Sequence, residues 1–443
     1  MHKDIKIAII GAGPSGITAL KNILDQGLNA VVFDRNNDVG GNWIYSEDES
    51  HSSVFETTHI ISSKTLSQYE DFTFDDFDPE VADYPSHEEL RRYFQAYAIH
   101  FGLYDHIEFS TLVKKCKKDS DGFWEIITEK AGIEERHTFS HLVVCNGHHW
   151  HPRWPEYPGK FSGEFIHSHS FKKAEPFRNK KVLVIGGGNS ACDVAVETSR
   201  VSAHTAISWR RGYRIIPKFF FGQPSDKIGE KSAWVPLKIR SFFFDVLLNI
   251  LVGKNRLYGL REVETKFGEI HPTINDELLY KIRHGKVKPR LDIKILEGKK
   301  VIFEDGLEEE YDAIIACTGF YLSHPFFSKE LIDYSSGPVP LYLKMFHPEI
   351  ENLYFIGMFQ PLGCIWPGAE LQSKIMALEL AGKWKRPENI KKLCQLEVTN
   401  PHYKQIDTPR HTITVDYHKF KKELLKHLPH DYISKSPQVA HST

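Results

Sequence analysis

The sequence predicts an α/β protein with two doubly wound domains, because one pattern occurs in it twice. Each occurrence has a short β-branched run, a glycine-rich turn, a helical stretch and a second β-branched run. The first passes from IKIAII (5–10) through GAGPSG (11–16) to NAVVFD (29–34), and the second from KVLVIG (181–186) through GGGNSA (186–191) to HTAISWRR (204–211). Strand–helix–strand units of this kind build parallel sheets that are covered by helices.

The glycines of the first turn stand where a loop can approach a diphosphate. Gly11 allows the tight turn, Gly13 allows close approach of the backbone, and Gly16 lets the helix pack on the sheet. Asp34 ends the next strand, where a carboxylate receives ribose hydroxyls. The sequence therefore predicts a dinucleotide site at Gly11, Gly13, Pro14, Ser15, Gly16 and Asp34. The alternative is a glycine turn beside a solvated Asp.

A second glycine pair follows in DVGGNW (38–43). Two adjacent glycines let another backbone segment approach the same diphosphate or ribose. We therefore include Gly41, Asn42 and Trp43 in the predicted site, with Trp43 as a wall of the pocket. The alternative is a plain turn with a packed Trp.

The second turn, GGGNSA, has Ala191 in the third glycine position, and its following strand ends in Arg210 and Arg211 instead of an acid. A carboxylate would repel the 2′-phosphate of NADPH, whereas a guanidinium binds it in a bidentate manner. The sequence therefore predicts an NADPH site, with a solvated arginine pair as the alternative. Its predicted residues are Gly186, Gly188, Asn189, Ser190, Arg210 and Arg211.

One acid-ended and one arginine-ended dinucleotide site together indicate FAD and NADPH in the same chain. The six cysteines are scattered and form no CxxC. A flavoprotein that passes electrons to a disulfide needs such a dithiol beside the flavin, so this class is excluded. Dioxygen is then the natural electron acceptor.

The order of the apolar runs predicts that the NADPH domain is inserted into the FAD domain. The runs HLVVCNG (141–147), YDAIIACTG (311–319) and NLYFIGM (352–358) lie on both sides of the second pattern. We therefore predict a FAD-binding domain in two parts, residues 1–172 and 288–443, and an NADPH-binding domain at residues 173–287.

Composition limits the partners. The chain has 56 Lys and Arg against 58 Asp and Glu among 443 residues, so no net field attracts a nucleic acid or an anionic membrane. The most apolar run, 241–253, is too short for a bilayer and indicates a buried or interfacial helix. The N-terminus does not have the pattern of a signal peptide. We expect a cytoplasmic protein without a metal site, with a homodimer as a plausible state.

The stretch FSGEFIHSHSF (161–171) resembles FxGxxxHxxx[Y/F], the identifying sequence of the flavin-containing monooxygenases. The chain also resembles this family at DVGGNW, VVCNGHHWHPRWP, CTGF (317–320) and AELQSK (369–374), which adds Gln372 to the predicted cofactor contacts. The related motif of Baeyer–Villiger monooxygenases usually ends in Trp, whereas here the last residue is Phe171. The resemblance implies that the motif links the domains, with His167 bonded to backbone.

The resemblance implies an NADPH-dependent monooxygenase similar to N,N-dimethylaniline monooxygenase. NADPH would reduce FAD, O2 would add at flavin C4a to give a hydroperoxide, and a soft amine nitrogen or sulfur atom would take the distal oxygen. NADP⁺ would stay bound and exclude water. Such a mechanism needs no nucleophilic side chain, in agreement with a sequence that shows no catalytic triad.

One departure from the family pattern concerns the flavin site. Members that oxygenate heteroatoms usually carry Asn three residues before a Lys, but counting back from Lys64 gives Ile61. Ser62 or His59 is then the candidate for the role of the missing amide. The departure leaves two alternatives, namely Baeyer–Villiger oxygenation of ketones and a module that holds the cofactors without coupled oxygenation.

Overall fold

The computed structural model describes residues 5–48, 51–231, 235, 237–265, 272–333, 339–361, 363–402, 413–429 and 432. The chain forms two compact units. The first takes in the described residues of the ranges Met1–Ile44, Lys64–His149 and Tyr321–Thr443, and the second those of Tyr45–Ser63 and Trp150–Phe320.

The strands are, in chain order, β1 (Lys6–Ile10), β2 (Asn29–Phe33), β3 (Ile107–Glu108), β4 (Thr111–Lys118), β5 (Trp124–Lys130), β6 (Ile133–Phe139), β7 (His141–Val144), β8 (His151–Pro152), β9 (Gly159–Phe161), β10 (Glu164–His167), β11 (Lys181–Ile185), β12 (His204–Ser208), β13 (Ile215–Ile216), β14 (Phe219–Phe220), β15 (Gln223–Pro224), β16 (Thr273–Ile274), β17 (Val287–Arg290), β18 (Ile293–Gly298), β19 (Lys300–Phe303), β20 (Glu308–Glu310), β21 (Ala313–Ala316), β22 (Phe320–Tyr321), β23 (Leu353–Phe355), β24 (Gln360–Pro361) and β25 (Thr414–Val415). The helices are α1 (Pro14–Asp25), α2 (Phe74–Phe77), α3 (His87–His100), α4 (Asn189–Thr198), α5 (Ser225–Lys231), α6 (Leu237–Leu251), α7 (Leu278–Arg283), α8 (Trp366–Leu380), α9 (Ile390–Thr399) and α10 (Tyr417–Leu425).

The first unit is built on a five-stranded parallel sheet in the order β23-β7-β1-β2-β3. Its central strands are continuous apolar runs, because both faces of a parallel sheet are covered. Helix α1 contacts α8, and all residues of α8 except Glu379 are buried. The three strands β4, β5 and β6 add an antiparallel sheet whose inner face joins the core of this unit.

The second unit repeats the same sheet, in the order β10-β21-β11-β12-β17, and all of its pairs are parallel. A second sheet of this unit has the order β20-β19-β18-β9. The two βαβ patterns predicted from the sequence, with their loops at 11–16 and 186–191, therefore form as expected. The second unit interrupts the chain of the first, which agrees with the predicted insertion.

The compact units have other limits than the predicted boundaries at 172/173 and 287/288. Strand β21 had been expected in the first sheet, but it pairs with β10 and β11 of the second sheet. The second unit therefore extends from Trp150 to Phe320 and also takes in residues 45–63. The sequence could not predict this pairing, because an apolar run indicates a buried parallel strand but does not show which of two sheets the strand joins.

The apolar run 241–253 lies mostly in helix α6, and of the two predicted alternatives its partial exposure fits an interfacial helix better than a buried one. Leu248 is buried, whereas Phe242, Phe243 and Ile250 are at least 65% exposed. Within the described part of the chain, no helix combines the length and the apolar character needed to cross a membrane.

Candidate functional site

The first glycine loop has the close packing that the sequence predicts. Gly11 has φ +102°, and a methyl group there would lie 2.6 Å from the carbonyl oxygen of Cys145. A methyl group at Gly16 would overlap the carbonyl oxygen of Gly11. These two glycines therefore hold the turn and the helix against the sheet. Gly13 instead immediately precedes α1. The first turn of α1 contains no acidic residue, so the N–H groups at the start of this helix remain available to an anion.

Gly13 and Gly41 face each other at the mouth of this loop. A methyl group at Gly13 would lie 3.5 Å from the Cα of Gly41, and the reverse substitution would bring its carbon to 2.9 Å from the Cα of Gly13. Both glycines, together with Pro14, Ser15 and Asn42, are partly exposed. The two backbone segments thus leave no side chain between them. The structure brings the predicted residues of both segments together.

Asp34 is buried, and both of its carboxylate oxygens accept backbone hydrogen bonds. Oδ2 accepts from the N–H of Ala12 at 2.5 Å, and Oδ1 accepts from the N–H of Asn36 at 2.7 Å. Burial raises the pKa of Asp34, and these two N–H groups oppose that shift. The carboxylate therefore fixes the loop, a role that the sequence prediction of a ribose contact did not include.

Asp38 stabilises the segment that contains the second glycine pair through hydrogen bonds to its carboxylate. Its Oδ1 accepts from the hydroxyl of Tyr104 at 2.9 Å, and its Oδ2 accepts from Nε2 of Gln95 at 2.5 Å. Farther along, the N–H of Gly40 donates to the carbonyl oxygen of Ala12 at 3.1 Å. The segment and the first loop are therefore held in one arrangement.

Trp43 and Gln372 have different positions. Trp43 is partly exposed and makes an edge contact with Trp366, with ring centroids 5.9 Å apart, and its role as a pocket wall stays a prediction. Gln372 is fully buried; its Oε1 accepts from the N–H of Gly357 at 2.9 Å and its Nε2 donates to Leu343. The side chain therefore supports Gly357, which packs against Ser15, and the direct contact of Gln372 with the cofactor stays a prediction. The sequence prediction missed Gly357, although NLYFIGM ends a strand there.

The second glycine loop repeats the packing of the first. Gly186 has φ +125°, and a methyl group there would lie 2.5 Å from the carbonyl oxygen of Cys317. Cys317 thus has the place that Cys145 has in the first unit. Gly188 precedes α4, which has no acidic residue in its first turn, and Ser190 is exposed there. Asn189 is committed elsewhere, since its Oδ1 accepts from the N–H of Ile274 at 2.7 Å.

The arginines after β12 lie beside this loop with different surroundings. Arg210 is exposed, while Arg211 is partly buried and lies over the ring of Tyr213 at 5.6 Å from the centroid. Tyr213 packs against Gly187 so closely that a methyl group there would overlap its ring. The sequence prediction did not identify Tyr213, because an isolated Tyr in a loop carries no signal of its own.

The motif FSGEFIHSHSF lies inside the second unit, which corrects its expected role as a linker between domains. Residues 164–167 form β10, the edge strand of the second sheet. His167 is fully buried, and its Nδ1 accepts from the N–H of His169 at 3.1 Å. Burial lowers the pKa of His167 to about 4, so it is neutral at physiological pH. Phe171 closes the motif in the core, in edge contact with Phe55.

The candidates for the missing amide lie at the end of the 45–63 segment. His59 is exposed, with Nδ1 3.0 Å from the carbonyl oxygen of Thr57. Ser62 is 3% exposed, and Ile61 is partly buried. The next residue, Ser63, donates its N–H to Oδ2 of Asp226 at 2.6 Å. Ser62 and His59 remain predicted candidates on this evidence.

The first unit contains a buried ion pair near the start of α8. Glu370 is fully buried, and its Oε1 lies 2.6 Å from Nζ of Lys374. Its Oε2 accepts from the N–H of Glu70, whose own carboxylate faces Lys374 and Lys421. Burial raises the pKa of Glu370, and the ammonium group of Lys374 opposes that shift. Among the described residues, no group of three or more His, Cys, Asp and Glu side chains has the arrangement of a metal site.

Comparisons with known proteins agree with this geometry. The family model described as flavin-binding monooxygenase-like matches residues 4–439. Flavin-containing monooxygenase 5 of Rattus norvegicus is 33% identical over 442 residues, which cover 93% of this chain and 80% of the relative. Dimethylaniline monooxygenase [N-oxide-forming] 2 of Oryctolagus cuniculus is 34% identical over 397 residues, or 83% and 72% of the two chains.

The chain belongs to the flavin-binding monooxygenase-like family. It is therefore a flavin-dependent monooxygenase, as the resemblance of the motifs implied. Two solved structures show the same fold. S-allyl-L-cysteine S-oxygenase from Allium sativum has a TM-score of 0.70 at 22% identity, over 95% of this chain and 88% of the other. Cyclohexanone monooxygenase from Rhodococcus sp. Phi1, bound to NADP⁺, has a TM-score of 0.66 at 17% identity, over 90% of each chain.

The residues of the first loop fit the flavin that this family binds. Gly13 and Gly41 bring two backbone segments into close contact without an intervening side chain, no acidic residue lies in the first turn of α1, and the loop is partly exposed. A diphosphate needs these three conditions, since its charge is balanced by helix N–H groups and its size requires close approach of the backbone.

Proposed function

We propose that this monooxygenase uses FAD, NADPH and O2 to oxygenate soft nitrogen or sulfur atoms of small molecules. The observation that carries the proposal is the contrast between two equivalent loops. The strand beside the first loop is followed by the acid Asp34, and the strand beside the second by Arg210 and Arg211. Two different dinucleotides therefore fit the two units.

In this proposal the first unit binds FAD. The N–H groups at the start of α1, next to Pro14 and Ser15, would bind the pyrophosphate, and Asp34 would face the ribose. Gly41 and Asn42 would approach from the opposite side, and Trp43 would close the pocket. Asp34 already accepts two N–H groups, but each carboxylate oxygen has a second lone pair for a ribose hydroxyl.

The second unit would bind NADPH at Gly186, Gly188 and the start of α4. The exposed guanidinium of Arg210 would pair with the 2′-phosphate, because a planar fork of donors matches its oxygens. Arg211 contacts Tyr213 and is the weaker candidate for this role. Support for NADP as the coenzyme comes from the NADP⁺ complex of the related fold.

The bound reduced flavin would supply the activation of O2, and the protein residues would bind, orient and exclude water. A soft amine or sulfide provides its own lone pair, so the chain needs no nucleophilic side chain and no strong base. Heteroatom substrates are supported by the N-oxide-forming relative and by Phe171 at the last position of the motif.

The test uses the purified holoenzyme with NADPH and ¹⁸O2. Dimethylaniline, a dialkyl sulfide and cyclohexanone are supplied separately, and products are identified by mass spectrometry. One ¹⁸O atom in an N-oxide or sulfoxide, at a yield that follows NADPH consumption, is the expected result. Hydrogen peroxide as the sole product with all three substrates would reject oxygenation and support the cofactor-holding module.

A second candidate function, Baeyer–Villiger oxygenation, is favoured by Ile61. The stretch from Thr58 to Lys64 contains no side-chain amide, so the group expected for heteroatom oxygenation is absent from its usual place. Ser62 or His59 then stays the candidate for the role of the missing amide. An ¹⁸O-labelled lactone from cyclohexanone, without N-oxide or sulfoxide, would select this candidate.

A further inference from the structure

A short strap formed by residues 273–276 crosses the second glycine loop. Thr273 donates its hydroxyl to the carbonyl oxygen of Gly187 at 2.7 Å, and the N–H of Ile274 donates to Oδ1 of Asn189 at 2.7 Å. Asn275 donates Nδ2 to Oδ1 of Asp193 at 2.7 Å. Three consecutive residues of the strap therefore bond to the loop and to the first turns of α4.

The strap is itself held firmly. Its strand β16 pairs with β13, the N–H of Thr273 donates to Arg214, and the N–H of Asn275 donates to Ile216. Oδ1 of Asn275 accepts the N–H groups of Glu277 and Leu278 at 3.0 and 2.7 Å, at the start of α7. Thr273 is fully buried and Asn275 is 7% exposed. The strap therefore links the loop to two neighbouring elements.

The need for a strap follows from a comparison of the two units. Gly11 donates to the carbonyl oxygen of Phe33, and Gly186 donates in the same way to Ser208. Phe33 and Ser208 are therefore equivalent, and Trp209 follows Ser208 as Asp34 follows Phe33. An indole has no oxygen that could accept a hydrogen bond from an N–H group of the loop. An acid there would also oppose the 2′-phosphate, so the second unit must fix its loop by other means.

The strap supplies an equivalent contact. In the first unit the carbonyl oxygen of Ala12 accepts from the N–H of Gly40, and in the second that of Gly187 accepts from the hydroxyl of Thr273. A loop of three glycines otherwise loses much conformational entropy when a ligand orders it. A contact that orders the loop in advance strengthens binding by reducing this cost.

We propose that the 273–276 strap preorganises the second loop for the pyrophosphate of NADPH, with Thr273 and Asn275 as positioning residues. This inference rests on the proposed function of the second unit. The bonded Oδ1 of Asn189 also bears on this site. Because this oxygen accepts the N–H of Ile274, the Asn189 side chain does not compete with the ligand for the N–H groups at the start of α4.

The test compares Thr273→Val with wild type as FAD-loaded holoenzyme. Calorimetry measures Kd for NADP⁺ and for adenosine 2′-monophosphate, which has the 2′-phosphate but no phosphate at the 5′ position. We expect Kd for NADP⁺ to rise about threefold to tenfold, from the loss of one buried hydrogen bond, with little change for adenosine 2′-monophosphate. Thr273→Ser should restore the affinity. Thr205→Val is the matched control. Thr205 is also buried, but it lies near the start of β12, at the end of the strand away from the glycine loop.

The outcomes separate the two proposals. Wild type that binds neither ligand would reject NADPH binding itself. Unchanged affinity of Thr273→Val for NADP⁺, or equal weakening for both ligands together with a lower thermal midpoint, would overturn the strap proposal alone. If Thr273→Val does not fold, Asn275→Ser is measured in the same way, because serine keeps an oxygen at the start of α7 and removes the donor to Asp193.

Discussion

The replacement of Gly13 by alanine separates flavin binding from folding. Gly13 has φ −71° and ψ −178°, an extended conformation that alanine adopts without strain. The added methyl carbon lies 3.5 Å from the Cα of Gly41, an ordinary van der Waals distance. The folded chain therefore accommodates the methyl group, which then covers the backbone at the mouth of the loop.

The expected magnitudes differ for stability and for binding. Alanine is less favourable than glycine before a helix by at most about 1 kcal/mol. The lower entropy of the unfolded chain offsets this by about 0.4–1 kcal/mol. A phosphate kept away from the loop N–H groups loses a charge-assisted bond of about 1.5–3 kcal/mol. We therefore expect Kd for FAD to rise about 10- to 150-fold, with a change in apoprotein stability below about 1 kcal/mol.

The assay uses apoprotein in both measurements, because bound FAD stabilises the folded state by mass action. Quenching of flavin fluorescence gives Kd, and thermal unfolding gives the midpoint. Gly16→Ala is the control, since its methyl group overlaps the carbonyl oxygen of Gly11 and must lower stability as well as binding. Wild-type affinity for FAD in Gly13→Ala would show that the pyrophosphate does not approach this loop.

Three further predictions concern single residues. Arg210→Ala should raise the KM for NADPH about 10- to 150-fold and leave that for NADH nearly unchanged; equal effects in steady-state kinetics would reject the 2′-phosphate contact. Lys374→Met should lower the free energy of unfolding by about 3–5 kcal/mol in urea, because it leaves the carboxylate of Glu370 buried and unpaired, whereas adding Glu370→Gln should restore most of the loss. The native pKa of His167, about 4, is below its usual value near 6.5, so the unfolded state binds more protons between these limits. Stability should therefore fall by up to about 3 kcal/mol as pH decreases from 6.5 to 4, and His167→Asn should flatten this slope in urea titrations at several pH values; an unchanged slope would contradict the assigned pKa.

Local patterns predicted the two βαβ units well, because their signals are contiguous in sequence. The runs at 6–10 and 181–185, with the glycines that follow them, determine strand, turn and helix within about thirty residues. The place of β21 could not be predicted in the same way. An apolar strand fits either parallel sheet, and only its pairing with β10 and β11 decides between them.

Among the site residues, too, the sequence predicted only those whose signals are local. Gly13 and Gly41 were predicted from glycine spacing, since backbone approach requires that residue type. The burial of Gln372 and its hydrogen bond to Gly357 could not be predicted, because a polar residue in a family motif gives no sign of burial in the sequence. Thr273 lies 86 residues from Gly187 along the chain, so no local pattern indicates their hydrogen bond.

The equivalent positions of Cys145 and Cys317 provide each unit with its own chemical reporter. Both thiols follow a central strand and lie next to a glycine turn, and burial raises the pKa of each well above its usual range. The thiolate is the reactive form, so both cysteines react slowly with an alkylating reagent while their strand ends stay closed; Cys145 is buried, whereas Cys317 is partly exposed. Alkylation followed by peptide mass mapping therefore measures the opening of the first and of the second glycine loop separately, in one sample and without any introduced label.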